Sequence, residues 1–399
     1  MIWESKKLSE LCNMNSGGTP SRSNLAYYNG TIPWAKISDI ENAEGGVIKY
    51  TEEHITDEGL NSINNRLFPE GTLLLAMYGS VGKAAFAGME MTSNQAILGI
   101  KIKDEELLSY AYLKYWFQTI KQQLLDRAVG AALQNISLGI VKELQIPLPP
   151  LPIQKRIAEI LDAADALKRK DQELLKKYDE LAQAIFIDMF GDPVKNEKGW
   201  ETEILKNVTT KIGSGATPSG GKTAYKTAGI SLIRSMNVYD FSFKWKDLAF
   251  IDDTQAAKLN NVEVKSKDVL FNITGASVCR CSIVPDELLP ARVNQHVSII
   301  RTKTELLNPV FLNHLLVSDK VKCNLLGVGS GGGAVMEAIT KEQLENFEII
   351  LPPINRQNKF EERINLVFAE KKIQISSQSY SDKLFESLIR KAFKGELIN

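Results

Sequence analysis

At 399 residues, with 44% hydrophobic and 24% charged residues, the chain has the composition of an ordinary globular protein and is long enough for two cores. Its 48 Lys and Arg balance 48 Asp and Glu, and none of the segments 1–150, 151–192, 193–350 and 351–399 is strongly basic, which argues against a chain that grips nucleic acid by charge alone. No apolar run approaches the ~18 residues that span a bilayer, MIWESKKLSEL lacks a signal peptide's apolar core, and Cys12, Cys279, Cys281 and Cys323 give no zinc or disulfide spacing, so a reducing cytoplasm and no membrane are expected.

Residues 1–150 read as a mixed α/β domain with many short strands. Asn15–Pro20 is a loop and Tyr27–Gly30 a second turn. Ile32–Ile40 reads as a strand running into a polar loop, and Gly71–Met77 as a buried strand opening into Tyr78-Gly79-Ser80-Val81-Gly82-Lys83. That last loop is no Walker A, because Met77 stands where the first Gly belongs and Ala84 where Ser or Thr should follow the Lys. A glycine loop offering backbone N–H groups and one Lys to a DNA phosphate fits it better, with a plain strand connection as the alternative. Glu105–Asp126 reads as an amphipathic helix with Leu108, Tyr112, Tyr115, Trp116, Ile120 and Leu124 on one face.

The middle of the chain, 151–192, carries a different period. Pro149 and Pro150 stop what precedes, and Pro152 suits the first turn of a helix. Ile153, Ile157, Ile160, Ala164, Leu167, Leu174, Tyr178, Leu181 and Ile185 then recur at alternating steps of four and three, with Asp171 the one polar residue on the seam. This is a heptad stripe ending at Gly191-Asp192-Pro193, and about 35 helical residues predict a rod of roughly 50 Å.

The second half, 193–350 and 351–399, repeats the first. Trp3 and Leu8 recur as Trp200 and Leu205, Gly18-Thr19-Pro20 as Ala216-Thr217-Pro218, and Leu148-Pro149-Pro150 with Gln154 as Leu351-Pro352-Pro353 with Gln357. Gly130-Ala131 and Ile136-Ser137 recur as Gly333-Ala334 and Ile339-Thr340, and the spacing drifts only from 197 to 203. Ile230–Asn237 corresponds to Ile32–Asp39, Asp268–Ser277 to Thr72–Val81, and Val293–His296 to Ser93–Ala96. The apolar skeleton repeats while the polar loop residues change. The expected fold is therefore α+β, a tandem duplication of a mixed α/β domain followed by a long helix. In the second helix Ile364, Phe368, Ile375, Phe385, Ile389 and Ala392 are apolar, but Lys371, Gln378 and Asp382 interrupt the seam.

No catalytic constellation stands out. His54, His296 and His314 are widely spaced, the run Gly329–Gly333 has no Lys after it, and neither an Asn-Pro-Pro-Tyr-type motif nor a Gly-x-Ser-x-Gly elbow is present.

Two copies of a domain, each closed by Ile146-Pro147-Leu148-Pro149-Pro150-Leu151-Pro152-Ile153-Gln154 or Ile349-Ile350-Leu351-Pro352-Pro353-Ile354-Asn355-Arg356-Gln357, resemble the DNA-specificity subunit of Type I restriction-modification systems over the whole chain. The endings Phe190-Gly191-Asp192-Pro193 and Ala392–Leu397 are also family-like, whereas Ile153 and Arg356 replace the usual acidic residue before the Gln. The resemblance implies a non-catalytic subunit in which each globular half reads one part of a bipartite, asymmetric target in double-stranded DNA. It implies that the two helices form an antiparallel coiled coil that sets the unread spacer. Its implied partners are two modification (methyltransferase) subunits that bind S-adenosylmethionine and flip an adenine in each half-site, and restriction (motor-nuclease) subunits that use ATP and Mg, leaving no cofactor or metal on this chain. Base readers must be polar side chains at loop tips. The candidates are Lys36, Ser38, Asp39, Tyr78, Ser80, Lys83, Asn94 and Gln95 in the first half, and Arg234, Asn237, Thr274, Ser277, Arg280, Asn294, Gln295 and His296 in the second. The alternatives are a self-sufficient methyltransferase or nuclease, against which the missing motifs speak, and a coiled-coil DNA-binding adaptor uncoupled from methylation.

Overall fold

The computed structural model describes residues 3–119, 136–218, 220–327 and 338–398. Ile120, Leu124, Gly130-Ala131, the run Gly329–Gly333 and Ala334 lie outside the described residues. The chain divides into two units, residues 1–172 with 376–399 and residues 173–375. Each unit therefore holds one globular domain, the start of one long helix and the end of the other. Among the described residues, no helix is long and apolar enough to cross a membrane.

In the first unit, Ser5–Lys7 pairs antiparallel with Gln145–Pro147, joining the start of the domain to the strand just before its helix. The central sheet has the order Cys12–Ser16, Ile97–Ile102, Leu73–Ala76, Ala84–Ala87, Val47–Ile48. A second sheet sets Tyr28–Ala35 between Glu53–Ile55 and Thr92–Ser93. The continuous apolar run Leu73–Ala76 follows from a sheet covered on both faces. Leu73 and Leu75 point into a core with Tyr112, Trp116 and Ile157, while Leu74 and Ala76 point into another with Ile48, Phe68 and Ala85. Full burial of each leucine contributes about 1.5–3 kcal/mol.

The second unit repeats this plan. Thr202–Ile204 pairs with Glu348–Ile350. Strand Val269–Asn272 is again covered on both faces, Val269 and Phe271 by a core with Phe186, Phe311 and Phe360, Leu270 by one with Leu232, Ile233 and Val293. Arg301 forms a bidentate pair with the fully buried Asp268, at 2.7 Å on each arm.

Several local expectations change. Asn15 and Ser16 end the strand Cys12–Ser16 instead of opening a loop, and Tyr28–Gly30 begin the strand Tyr28–Ala35 instead of forming a turn. The segment after Ala35 is a short helix, Ile37–Glu41, not an open loop, because Asp39 folds back onto the Lys36 N–H. The helix expected from Glu105 begins at Tyr110, because Asp104 caps the Glu106 N–H and Gln154 takes the Ser109 N–H.

The long helices run Leu151–Phe190 and Ile354–Lys394, 40 and 41 residues and so longer than the sequence estimate. Each is anchored by its glutamine. Gln154 is fully buried, accepts from the Ser109 N–H at 2.9 Å, and donates to the carbonyls of Leu107 (2.9 Å) and Pro149 (2.8 Å). Gln357 repeats this with Asn308 N–H, Leu306 and Pro352 at 2.8, 3.0 and 2.7 Å. A Gln closing the Leu-Pro-Pro segment is thus a plug that satisfies three backbone groups the helix start would otherwise bury unpaired.

Within each unit the two helices run antiparallel. In the first, Lys168 pairs with Asp382 at 3.2 Å and Asp171 with the Ser377 hydroxyl at 3.5 Å. In the second, Asp179 pairs with Lys371, and Phe186 and Phe190 pack on Phe360 at 5.5 and 5.4 Å. Lys371 and Asp382 lie 203 positions after Lys168 and Asp179, so both units hold the same crossed ion pair. Polar seam positions of this kind specify register more than stability.

The expected seam was half in phase. Ile157, Ala164, Ile364 and Phe385 are buried, and Ile153, Ile160, Tyr178, Ile185, Phe368 and Ile389 partly so. Leu167, Leu174 and Leu181, by contrast, are 46, 42 and 46% exposed, and the inward positions are Lys168, Leu175 and Ala182. On the second helix Ile375 is 52% exposed and Gln374 turns inward instead. The cause is the ion pairs, which draw Lys168 and Lys371 onto the seam, and the small Ala182, which lets the phenylalanines approach.

Candidate nucleic-acid interface

In the first unit, strands Tyr28–Ala35 and Thr92–Ser93 are parallel, Ala35 beside Ser93, so both chains leave the sheet at one edge. The Asn94 N–H then donates to the Ala35 carbonyl at 3.0 Å, and the Met77 N–H to the Ala96 carbonyl at 2.8 Å. Three loops carrying Lys36–Asp39, Tyr78–Lys83 and Asn94–Gln95 are thereby stitched together. The second unit makes the same stitches, Asn294 N–H to Ile233 at 3.0 Å and Ile273 N–H to His296 at 3.0 Å, gathering Arg234–Asn237, Thr274–Arg280 and Asn294–His296.

A fourth loop joins them. The Gly17 N–H donates to Ile97, the Gly18 N–H to Ser93 and the Gly215 N–H to Asn294. A Cβ on Gly17 would lie 2.2 Å from the Ser93 carbonyl oxygen, and one on Gly215 1.7 Å from that of Val293, so only glycine passes there. This approach places the Thr19 hydroxyl on Gln95 and that of Thr217 on Gln295. The repeated Thr-Pro loop was visible in the sequence, but its pairing with the glutamines was not.

Four candidates turn inward. Asp39 accepts from the Lys36 N–H at 2.6 Å and the Glu52 N–H at 3.3 Å. Its counterpart Asn237, fully buried, accepts from the Arg234 N–H and donates to the carbonyls of Lys244 and Lys246. Asn94 and Asn294 accept from the N–H two residues on, at 3.1 and 3.0 Å. Their side chains build the loops rather than tip them. Tyr78 packs partly against the first core, and Ser38 is half-buried.

Polar tips remain in both units. The Lys36 ammonium sits 2.8 Å from Glu52 and 3.0 Å from Glu53, whose carboxylate also takes Arg22 at 2.7 Å. The Glu52 hydrogen bond, then that of Glu53, raises the Lys36 pKa, and the Arg22 bond holds Glu53 below the usual carboxylate range. Arg22 lies over the rings of Tyr28 and Trp34 at 4.5 and 4.9 Å. Ser80 bonds Glu41, lowering its pKa, and Lys83 stands 3.7 Å from the same carboxylate. In the second unit, Arg234 bonds the Asp247 carbonyl and lies over Tyr225, Thr274 bonds the His296 ring at 2.6 Å, Ser277 accepts from Asn272, and Gln295 is exposed beside His296. Arg280 lies over Tyr239 at 4.4 Å with Lys244 over the same ring at 3.9 Å, and Trp245 nearby in the chain is 51% exposed. Arg22, Glu41, Glu52, Glu53, Tyr239 and Lys244 were not among the sequence candidates. The one signal for them was aromatic residues interleaved with cations, as in Phe243-Lys244-Trp245-Lys246. Among the described residues, no cluster of three or more His, Cys, Asp or Glu could hold a metal ion.

The Type I restriction modification DNA specificity domain matches twice, over residues 2–177 and 197–377. The chain belongs to the Type I restriction-modification DNA specificity family. Members of this family supply recognition, and catalysis lies with other subunits. The chain is 28% identical to the Type I restriction enzyme MjaIX specificity subunit of Methanocaldococcus jannaschii, over 99% of this chain and 93% of that one. It is 23% identical to the EcoBI specificity subunit of Escherichia coli, over 91% of this chain and 82% of the other. The fold matches the crystal structure of a Type I S subunit from M. genitalium with a TM-score of 0.57 at 13% identity, covering 98% and 96% of the two chains. A further solved chain, from a study of complex assembly and conformational transition in the type I system, matches with a TM-score of 0.60 at 19% identity, covering 99% and 98%.

Proposed function

We propose that each loop edge reads one half of a bipartite, asymmetric target in double-stranded DNA, and that the helix pair sets the unread spacer and docks modification subunits. The observation that carries this is the repetition of one loop framework, with Asp39 and Asn237, Asn94 and Asn294, Thr19 and Thr217 at matching places, beneath tips that differ. A shared framework keeps the docking geometry, and unlike tips give unlike half-sites. At 1.5 Å per residue a 40-residue helix is about 60 Å long, against about 34 Å for a duplex turn, which supports half-sites separated by about a turn or more.

Docking is supported by apolar side chains left bare on the helices. In the second unit Leu366 is 71% and Ile373 65% exposed, and in the first Tyr380 is 74% exposed, more than a solvated helix face needs. Two modification subunits holding S-adenosylmethionine would methylate an adenine in each half-site, flipping it out of the stack. Restriction subunits using ATP and Mg would complete the complex. The chain's zero net charge fits a reader whose partners supply much of the positive surface around the duplex.

The test is co-expression with the modification subunit encoded beside it, with methylated adenines mapped by single-molecule sequencing. An asymmetric split motif is expected. A well-formed complex that leaves the genome unmethylated would instead favour a DNA-binding adaptor.

A further inference from the structure

At the loop edge of the first unit, Lys36, Arg22 and Lys83 each have a carboxylate close by. The second unit is built differently. Lys244 and Arg280 converge on one ring, 3.9 and 4.4 Å from the centre of Tyr239, and among the described residues neither has a carboxylate within ion-pair distance. The adjacent acid, Asp240, is engaged elsewhere, by Lys322 at 2.5 Å and by the Cys281 N–H at 3.1 Å. Lys244, aided by Arg280, holds the pKa of the Tyr239 phenol below its ordinary value.

Both cations rest on held backbone. The Lys244 N–H donates to the Asn237 carbonyl at 2.7 Å, and its carbonyl accepts from the buried Asn237 amide at 2.9 Å. The Arg280 N–H donates to Ser277 at 3.2 Å, and its carbonyl accepts from the Asn272 N–H at 2.9 Å. Two like charges fixed beside one phenol repel each other, and an anion between them removes that repulsion. An ammonium, a guanidinium fork and a phenol hydroxyl together match the oxygens of a phosphodiester.

We propose that Tyr239, Lys244 and Arg280 form a seat for one backbone phosphate of duplex DNA, giving the second unit a sequence-independent contact. The proposal rests on the reading of the loop edges as DNA interfaces. A phosphate contact adds affinity on any sequence and registers as salt dependence, close to one unit of log–log slope per phosphate. At the first unit's edge Lys36, Arg22 and Lys83 must exchange their carboxylates before meeting DNA, so they add less to that slope.

The test uses the full chain in complex with its modification subunits, titrated with target duplex and scrambled duplex from 50 to 200 mM salt. The double variant Lys244→Gln with Arg280→Gln is expected to bind both duplexes about tenfold more weakly and to lower the salt slope by about one. Lys244→Glu, at an exposed position, should lose more than Lys244→Gln. Loss confined to the target duplex would mean base reading and would overturn the proposal, as would an unchanged slope in every variant. Saturable binding of inorganic phosphate alone, abolished by the double variant while the DNA slope stays fixed, would overturn it in favour of a free-ion site. If the wild-type complex binds neither duplex, the DNA reading itself fails. If it binds both and no variant moves the slope, the phosphate seat alone fails.

Discussion

At the scale of single residues, His314 shows how burial sets chemistry. Its ring lies among Phe241, Phe360 and Phe368, with centroids 4.5, 5.0 and 5.8 Å away, and Nδ1 bonds the Val310 carbonyl at 2.9 Å. Desolvation pushes its pKa down to about 4, against a small opposing effect of the Val310 carbonyl. A folded pKa below the unfolded value means the neutral ring is stabilising above about pH 6.5, and that stability is lost as pH falls towards 4. The loss amounts to roughly 3 kcal/mol. Denaturant titrations at pH 7 and pH 4 should show His314→Phe losing about that much less stability than the wild type; equal losses would mean the ring is not buried neutral. The same scale limits what a sequence reveals. Asp, Asn and Ser serve equally as base readers and as turn builders, so Asp39, Asn94, Asn237 and Asn294 could not be told from tips until their backbone partners were seen. Arg22 with Glu53, and Lys244 with Arg280, join residues 31 and 36 positions apart that no local pattern links.

At the scale of elements, the helix starts are held by their glutamines more than by propensity. Replacing Gln154 with Leu keeps the volume but orphans the Ser109 N–H and the Leu107 and Pro149 carbonyls. At about 1–3 kcal/mol for each buried group left unsatisfied, a loss of 3 kcal/mol or more is expected. Calorimetry should record a fall in melting temperature on the order of 10 °C. A change under 2 °C would show that water satisfies the groups and that the plug is dispensable. The long helices and their repeat were legible because heptad spacing and the Leu-Pro-Pro-to-Gln segment are local. The seam's phase was only half legible. Apolar doublets such as Ile160-Leu161 and Leu174-Leu175 allow two stripes one residue apart, and the choice is made by Lys168 and Lys371 reaching for Asp382 and Asp179.

At the scale of the whole molecule, one sequence repeat became two units, and each takes the end of the other copy's helix. The doubled skeleton and divergent tips make the account modular: residues 198–350 should determine one half of the target and nothing else. The direct measurement is to exchange residues 198–350 for those of a relative with a different target, and to map methylated adenines in the complex with unchanged modification subunits. The expected result is a hybrid motif in which one half is new and the other, with the spacer length, is retained. A motif altered in both halves, or in neither, would contradict it.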